Sequence, residues 1–257
     1  VLDLLDGAFA ALRQRPRTLV AVVLPVLVPV QVLQAYLARD LLGGAGLAEV
    51  MADPTLAEEA AVAGPGATGM LADLLLNSFT VSVTGVAVAH VVAGWLEGRE
   101  VTAGEALRAV ARRWWVVLVA WAAVRVLQVV GLVLVPVVLL AVTSPVVAFE
   151  GRGPLASIRR SAALVRTRFG PAAGVVSLTA LVSYGVSQAI GTLPSTVALV
   201  IGPGRAWPLL AATGIVTSLV LVPFVTAAAA LLYLDLRFRA EGLDLELEAA
   251  EVLPRAR

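Results

Sequence analysis

Five arginines carry the spacing most suggestive of chemistry: Arg108 and Arg112 stand four residues apart, and Arg152, Arg159 and Arg166 recur every seven. On a helix each set falls along one face. A guanidinium presents its N–H donors in a planar fork that matches phosphate and carboxylate oxygens. Such a face suits an anionic lipid headgroup or an acidic partner. A second polar set, Asn77, His90, Tyr184 and Gln188, interrupts stretches that are otherwise apolar. These side chains offer donors and acceptors for an intramembrane cavity holding a polar or lipid ligand. Each set also has a plainer explanation. Arginines beside apolar runs anchor topology, and polar groups inside spans bond neighbouring helices, for about 0.6 kcal/mol apiece.

Other chemistries lack their parts. There is no cysteine and only one histidine, which removes thiolate nucleophiles, cysteine-held metals and any mechanism needing two imidazoles. All 19 basic residues are arginine, so a phosphate-cradling G-x-x-x-x-G-K-[ST] loop has no lysine to use. Neither G-x-S-x-G nor H-E-x-x-H occurs. The reading is a chain without cofactor or metal, and not an enzyme.

The elements that must position these residues are set by composition. Sixty per cent of residues are apolar and 14% charged, against about 45–50% and about 25% in soluble domains, and mean hydropathy is +0.93. An all-α polytopic membrane protein follows, one domain over residues 1–257, with six spans expected at 18–38, 71–95, 114–128, 129–149, 171–193 and 208–233. Residues 114–150 are divided because one helix of that length would run ~54 Å across a ~30 Å core. The tip of that hairpin is expected near residues 125–131, since an arginine at mid-bilayer costs about 2.5–3.5 kcal/mol.

Threaded this way, every arginine except Arg39, Arg125 and Arg205 falls on one side. That side is then cytoplasmic, with both termini inside and the 235–257 tail there too. The localisation expected is a bacterial plasma membrane, arginine-only usage pointing to a GC-rich genome. Residues 40–70 form an outside loop, in which Asp53-Pro54 opens a short helix reaching about residue 62.

Three segments approach the spans as amphipathic helices expected to lie in the cytoplasmic interface. The first, within residues 1–17, has Leu2, Leu5, Phe9 and Leu12 on its apolar stripe. The second has Ala103, Leu107, Val110 and Trp114, and the third Leu155, Ile158, Ala162, Val165 and Phe169. Glu97-Gly98-Arg99 and Glu150-Gly151-Arg152 each close a span and open such a helix, glycine permitting the sharp change of direction. Pro25, Pro29, Pro136, Pro145 and Pro223 are expected to kink their helices.

Leu4-Leu5-Asp6-Gly7-Ala8-Phe9 with Arg15-Pro16-Arg17, Glu150-Gly151-Arg152-Gly153-Pro154 leading to Arg160-Ser161, and Tyr233-Leu234-Asp235-Leu236-Arg237 with Glu241-Gly242-Leu243-Asp244 resemble one group. They are similar to the actinobacterial proteins labelled glycerophosphoryl diester phosphodiesterase membrane domain, along essentially the whole chain. The resemblance implies a six-helix membrane module. In phosphodiesterases of that name a separate TIM-barrel domain carries catalysis, and nothing in this chain matches that domain.

Two functions stand at this point. The first is a non-enzymatic membrane module that scaffolds or regulates a partner protein, or organises lipid. The alternative is a small transporter or lipid-handling protein with an intramembrane polar cavity. The partners expected are membrane lipids, anionic headgroups among them, and an unidentified membrane or cytoplasmic protein, with no nucleic acid.

Overall fold

The structure is a computed structural model and describes residues 6–8, 13, 16–38, 46–53, 55–56, 67–96, 98–130 and 134–241. Among these every regular element is a helix: α1 Pro16–Leu37, α2 Leu47–Ala52, α3 Ala67–Leu96, α4 Ala103–Arg112, α5 Trp114–Val130, α6 Leu134–Leu139, α7 Thr143–Glu150, α8 Pro154–Thr167, α9 Phe169–Ile201 and α10 Pro203–Glu241. Four of them, α1, α3, α9 and α10, are long and apolar enough to cross a membrane, while α5 and the α6–α7 stretch are apolar but shorter.

Packing follows helical spacing. Leu19, Val22, Val23 and Leu27 of α1 form one buried stripe against Val86–Val92 of α3 and Leu232–Leu236 of α10. The run 84–89 of α3 is buried all round, as expected of a helix with neighbours on every side, and α1, α4, α5, α7 and α10 all pack on it. Small and β-branched side chains let these backbones approach closely. In a bilayer that contact supplies the association energy, because lipid tails are as apolar as the helices.

Helices α9 and α10 hold 33 and 39 residues, roughly 50 and 58 Å at ~1.5 Å each, so both outrun a ~30 Å core. They extend beyond the expected 171–193 and 208–233 and meet at Gly202. Onto that corner docks α2, which the sequence reading did not anticipate. A Cβ on Gly46 would overlap the carbonyl oxygen of Val200 and lie 2.7 Å from the Gly202 nitrogen. Arg205 Nη1 reaches Glu49 Oε1 at 2.6 Å. That hydrogen bond, then the one from the Gly46 N–H, holds the Glu49 carboxyl below its ordinary value. A six-residue helix has almost no intrinsic stability, so docking rather than propensity explains it. Of the helix expected after Asp53-Pro54, Thr55 and Leu56 are helical and the Thr55 N–H donates to Asp53 Oδ1 at 3.0 Å. The rest lies outside the described residues.

Helix α5 passes straight through Arg125 to Val130. The described part of the expected tip, residues 125–130, is therefore helical, and Gly131 lies outside the described residues. A turn at residues 140–142 separates α6 from α7. Pro145, in the first turn of α7, cannot donate back to the Ala141 carbonyl, which makes a restart there cheaper than continuing. Side chains answer the carbonyls freed by the break: Ser161 Oγ donates to Leu139 O and Thr143 Oγ1 to Leu140 O, both at 2.8 Å. Pro25, Pro29 and Pro223 sit inside uninterrupted helices, where the expected kinks do not become breaks.

The approach segments depart from expectation in register. In the first, residues 6–8, 13, 16 and 17 are described; Ala8 is buried with Phe224, Ala227 and Ala228, and Leu2, Leu5, Phe9 and Leu12 lie outside. Helix α4 opens with a capping box, Glu105 N–H to Thr102 Oγ1 at 3.3 Å and Thr102 N–H to Glu105 Oε2 at 2.9 Å. It buries Ala106 and Val110 while Trp114 is exposed. Helix α8 buries Ser157, Ile158, Ser161, Leu164 and Val165, and leaves Leu155 and Phe169 exposed. The inward face is turned toward the serines because their hydroxyls are satisfied, Ser157 by Gly153 O at 3.0 Å and Ser161 by Leu139 O. A bonded hydroxyl is buried cheaply. Both anticipated glycine turns are present: Gly98 and Gly151 have φ of 68° and 62°, a region hostile to any Cβ.

Candidate functional site

Two polar assemblies stand out, and they differ in how well their charges are satisfied. The first gathers at the end of α7. Glu150 accepts from Arg160 Nε at 2.9 and 3.2 Å and from the Tyr233 hydroxyl at 3.0 Å, and it pairs with Arg152. Arg237 Nη1 donates to the Tyr233 oxygen at 3.3 Å and its guanidinium lies 5.9 Å from that ring's centroid. Tyr233 is fully buried, with Phe149 against it at 5.1 Å. One carboxylate thus ties α7, α8 and α10 together. Each side chain in it has a partner, and the assembly reads as a structural knot.

This knot changes the standing of the arginine face. Arg108, Arg112, Arg152, Arg159 and Arg166 are all exposed. Arg152, however, is committed to Glu150, and the Nε of Arg108 donates to Gly104 O of its own helix at 3.1 Å. Arg112, Arg159 and Arg166 are left as the candidates for contact with headgroups or a partner.

The second assembly is a partly open cavity of about 360 Å³ lined by α3, α5, the α6–α7 stretch, α9 and α10. Each helix contributes one face. From α5 come Val117, Trp121, Val124, Arg125 and Gln128; from α9 Val175, Thr179 and Ser183; from α10 Val225, Ala229 and Leu232. Spacings of three and four residues bring each set to one line. The walls are largely aliphatic. At the same time Arg125 Nε, Thr179 Oγ1 and Ser183 Oγ are buried without a hydrogen-bond partner. Trp121 is fixed in the wall, its Nε1 donating to Ser78 Oγ at 3.0 Å and its ring edge-on to Phe79 at 5.4 Å. An unsatisfied buried polar atom costs about 1–3 kcal/mol. Three orphans on one lined space make it the natural place for a ligand.

None of Asn77, His90, Tyr184 and Gln188 lines this cavity. Asn77, Tyr184 and Gln188 are exposed and His90 is half-buried. The difference is one of helical phase: Ser183 lines the space and Tyr184, the next residue, is turned about 100° away. The signal that would have found the lining residues is the spacing Trp121–Arg125–Gln128 on α5 and Thr179–Ser183 on α9. Among the described residues no group of three or more His, Asp and Glu gathers to hold a metal ion.

No family model matches the chain, and no curated protein or solved structure matches it either.

Proposed function

We propose that this protein is a lipid-handling membrane protein whose helical bundle takes a small amphiphilic molecule into the α5–α9–α10 cavity. What carries the reading is the coincidence of a 360 Å³ space with buried polar atoms that have no partner within the chain. Small-molecule sites run from about 300 to 1,000 Å³ and combine apolar walls with a few convergent polar groups. In this reading the chain crosses a bacterial plasma membrane six times. The α5 and α6–α7 segments act as a short hairpin beside the four long helices, and both termini face the cytoplasm. The resemblance drawn from the sequence fits a membrane module of this kind and adds no phosphodiesterase activity, so the proposal is of a binding or carrier protein, not an enzyme. Native mass spectrometry of the protein released from nanodiscs tests it. The expected result is one adduct per chain with the mass of a single-chain amphiphile, and a spectrum of bare protein after exposure to such molecules would overturn the reading.

The scaffolding alternative is favoured by a separate observation, the exposure of Arg112, Arg159 and Arg166. Basic residues near an anionic surface contribute about 1 kcal/mol each. Replacing these three with Gln is therefore expected to reduce retention of phosphatidylglycerol relative to phosphatidylcholine by about fivefold or more. Unchanged lipid retention would leave the arginine face as a topology device only.

A further inference from the structure

We infer that the cavity's ligand is an anion, a single aliphatic chain ending in a carboxylate or phosphate, and that Arg125 is its counter-charge. This deepens the cavity reading and rests on it. Arg125 stands roughly 16 Å along α5 from Trp114, deep in an apolar helix whose preceding turns are Trp, Val and Ala. Among the residues lining the cavity it is the one that carries charge, and no Asp or Glu accompanies it. Its Nε is buried without a partner. Arg152 and Arg160 are paired with Glu150, Arg205 with Glu49 and Arg239 with Asp235, while Arg112, Arg159 and Arg166 are exposed to solvent; Arg125 instead sets its Nε on a cavity wall.

Arg125 is half-buried, and a guanidinium N–H cut off from both water and a partner is costly unless an acceptor answers it; intramembrane charges of this type mark ligand pathways. The surroundings say which anion. Thr179 and Ser183, one turn apart on α9, add two hydroxyls with no present acceptor, so guanidinium and hydroxyls together offer donors to a head with several oxygens. The remaining walls, Val124, Val175, Val225 and Leu232 among them, suit a hydrocarbon chain. At about 360 Å³ the space holds roughly twelve waters' share of volume at ~30 Å³ each. That volume suits one chain with a compact head.

The test uses the full chain in phosphatidylcholine nanodiscs with three probes of equal chain length, dodecanoate, dodecyl phosphate and dodecanol. Binding is read by native mass spectrometry and by quenching of Trp121 emission with brominated forms, Trp121→Phe serving to isolate that signal. Both anions are expected to bind, with dodecanol weaker by about tenfold or more. Whichever anion binds better identifies the head as carboxylate or phosphate. Arg125→Gln is expected to erase the preference for anions, and Arg125→Lys, which keeps the charge and guards against a folding artefact, to retain it in part. Equal binding of all three probes to the unaltered protein would overturn the anion inference and leave the cavity reading standing. Binding of none would overturn both.

Discussion

Replacing Glu150 with Ala is expected to destabilise the protein by about 2–4 kcal/mol. The effect comes from what is left behind. Without the carboxylate, the Tyr233 hydroxyl, fully buried, has no acceptor for its proton, since its other neighbour Arg237 only donates. Arg160, whose side chain is 19% exposed, loses the carboxylate that its Nε bonds at 2.9 Å. Removing one partner of a buried pair typically costs about 3–5 kcal/mol. The lower range applies here because Arg152 is 49% exposed and water can answer it. Tyr233→Phe, by contrast, removes one donor to the carboxylate and one acceptor of Arg237 but leaves Arg152 and Arg160 on Glu150, for about 1–2 kcal/mol. Unfolding in mixed detergent micelles, followed by tryptophan emission, gives both values. A double-mutant cycle then gives the coupling, expected within about 0.5–3 kcal/mol for groups in one network. A Glu150→Ala protein as stable as the original would show that α7, α8 and α10 are held by packing alone.

That knot also shows how far the sequence could be read. Glu150, Arg160, Tyr233 and Arg237 all belong to short motifs singled out in the sequence, yet Glu150 and Tyr233, which bond directly, stand 83 positions apart. Motif reading gave the residues, and only tertiary structure gives the meeting. All-helical architecture and the four long apolar helices were legible because a twenty-residue apolar run has few other outcomes. The positive φ of Gly98 and Gly151 was legible for a similar reason, a span ending in Glu-Gly-Arg having to change direction.

Helical phase was the point of failure. Tyr184 and Gln188 stand out in the sequence as polar residues inside an apolar run, whereas the cavity is lined by Thr179 and Ser183. In a helix surrounded on one side by lipid and on the other by protein, however, the face decides and the residue type does not. Arg125 was assigned to a turn on energetic grounds. The energy argument was sound, but it assumed that escape to water was the way a charge is accommodated, whereas the helix continues and sets the guanidinium on a cavity wall. Helix α2 was missed because a docked six-residue helix leaves no periodicity to detect.

The cavity's vacant polar atoms lead to the second large expectation, in which stability and binding move in opposite directions. Ala229→Phe places an aromatic ring into the space from α10, where Ala229 lines the wall. Filling a cavity with apolar volume in an allowed rotamer stabilises by restoring missing contacts, so resistance to unfolding is expected to rise by about 0.5–2 kcal/mol while amphiphile binding is abolished. Thr179→Val and Ser183→Ala make the same point from the polar side. A hydroxyl bonded in the empty protein costs stability when removed, as expected for Ser161→Ala, which would strip Leu139 O of its 2.8 Å partner. An orphan hydroxyl does the reverse: its removal relieves a desolvation penalty and leaves the empty protein equally or more stable. If those hydroxyls exist for a ligand, each loss weakens binding of the anionic probes by about fivefold, one net hydrogen bond's worth. Thermal unfolding and probe titration on the same preparations decide it. Substitutions at Thr179 and Ser183 that lower stability and spare binding would mean these side chains serve helix packing, and the cavity would lose its polar floor as a recognition element.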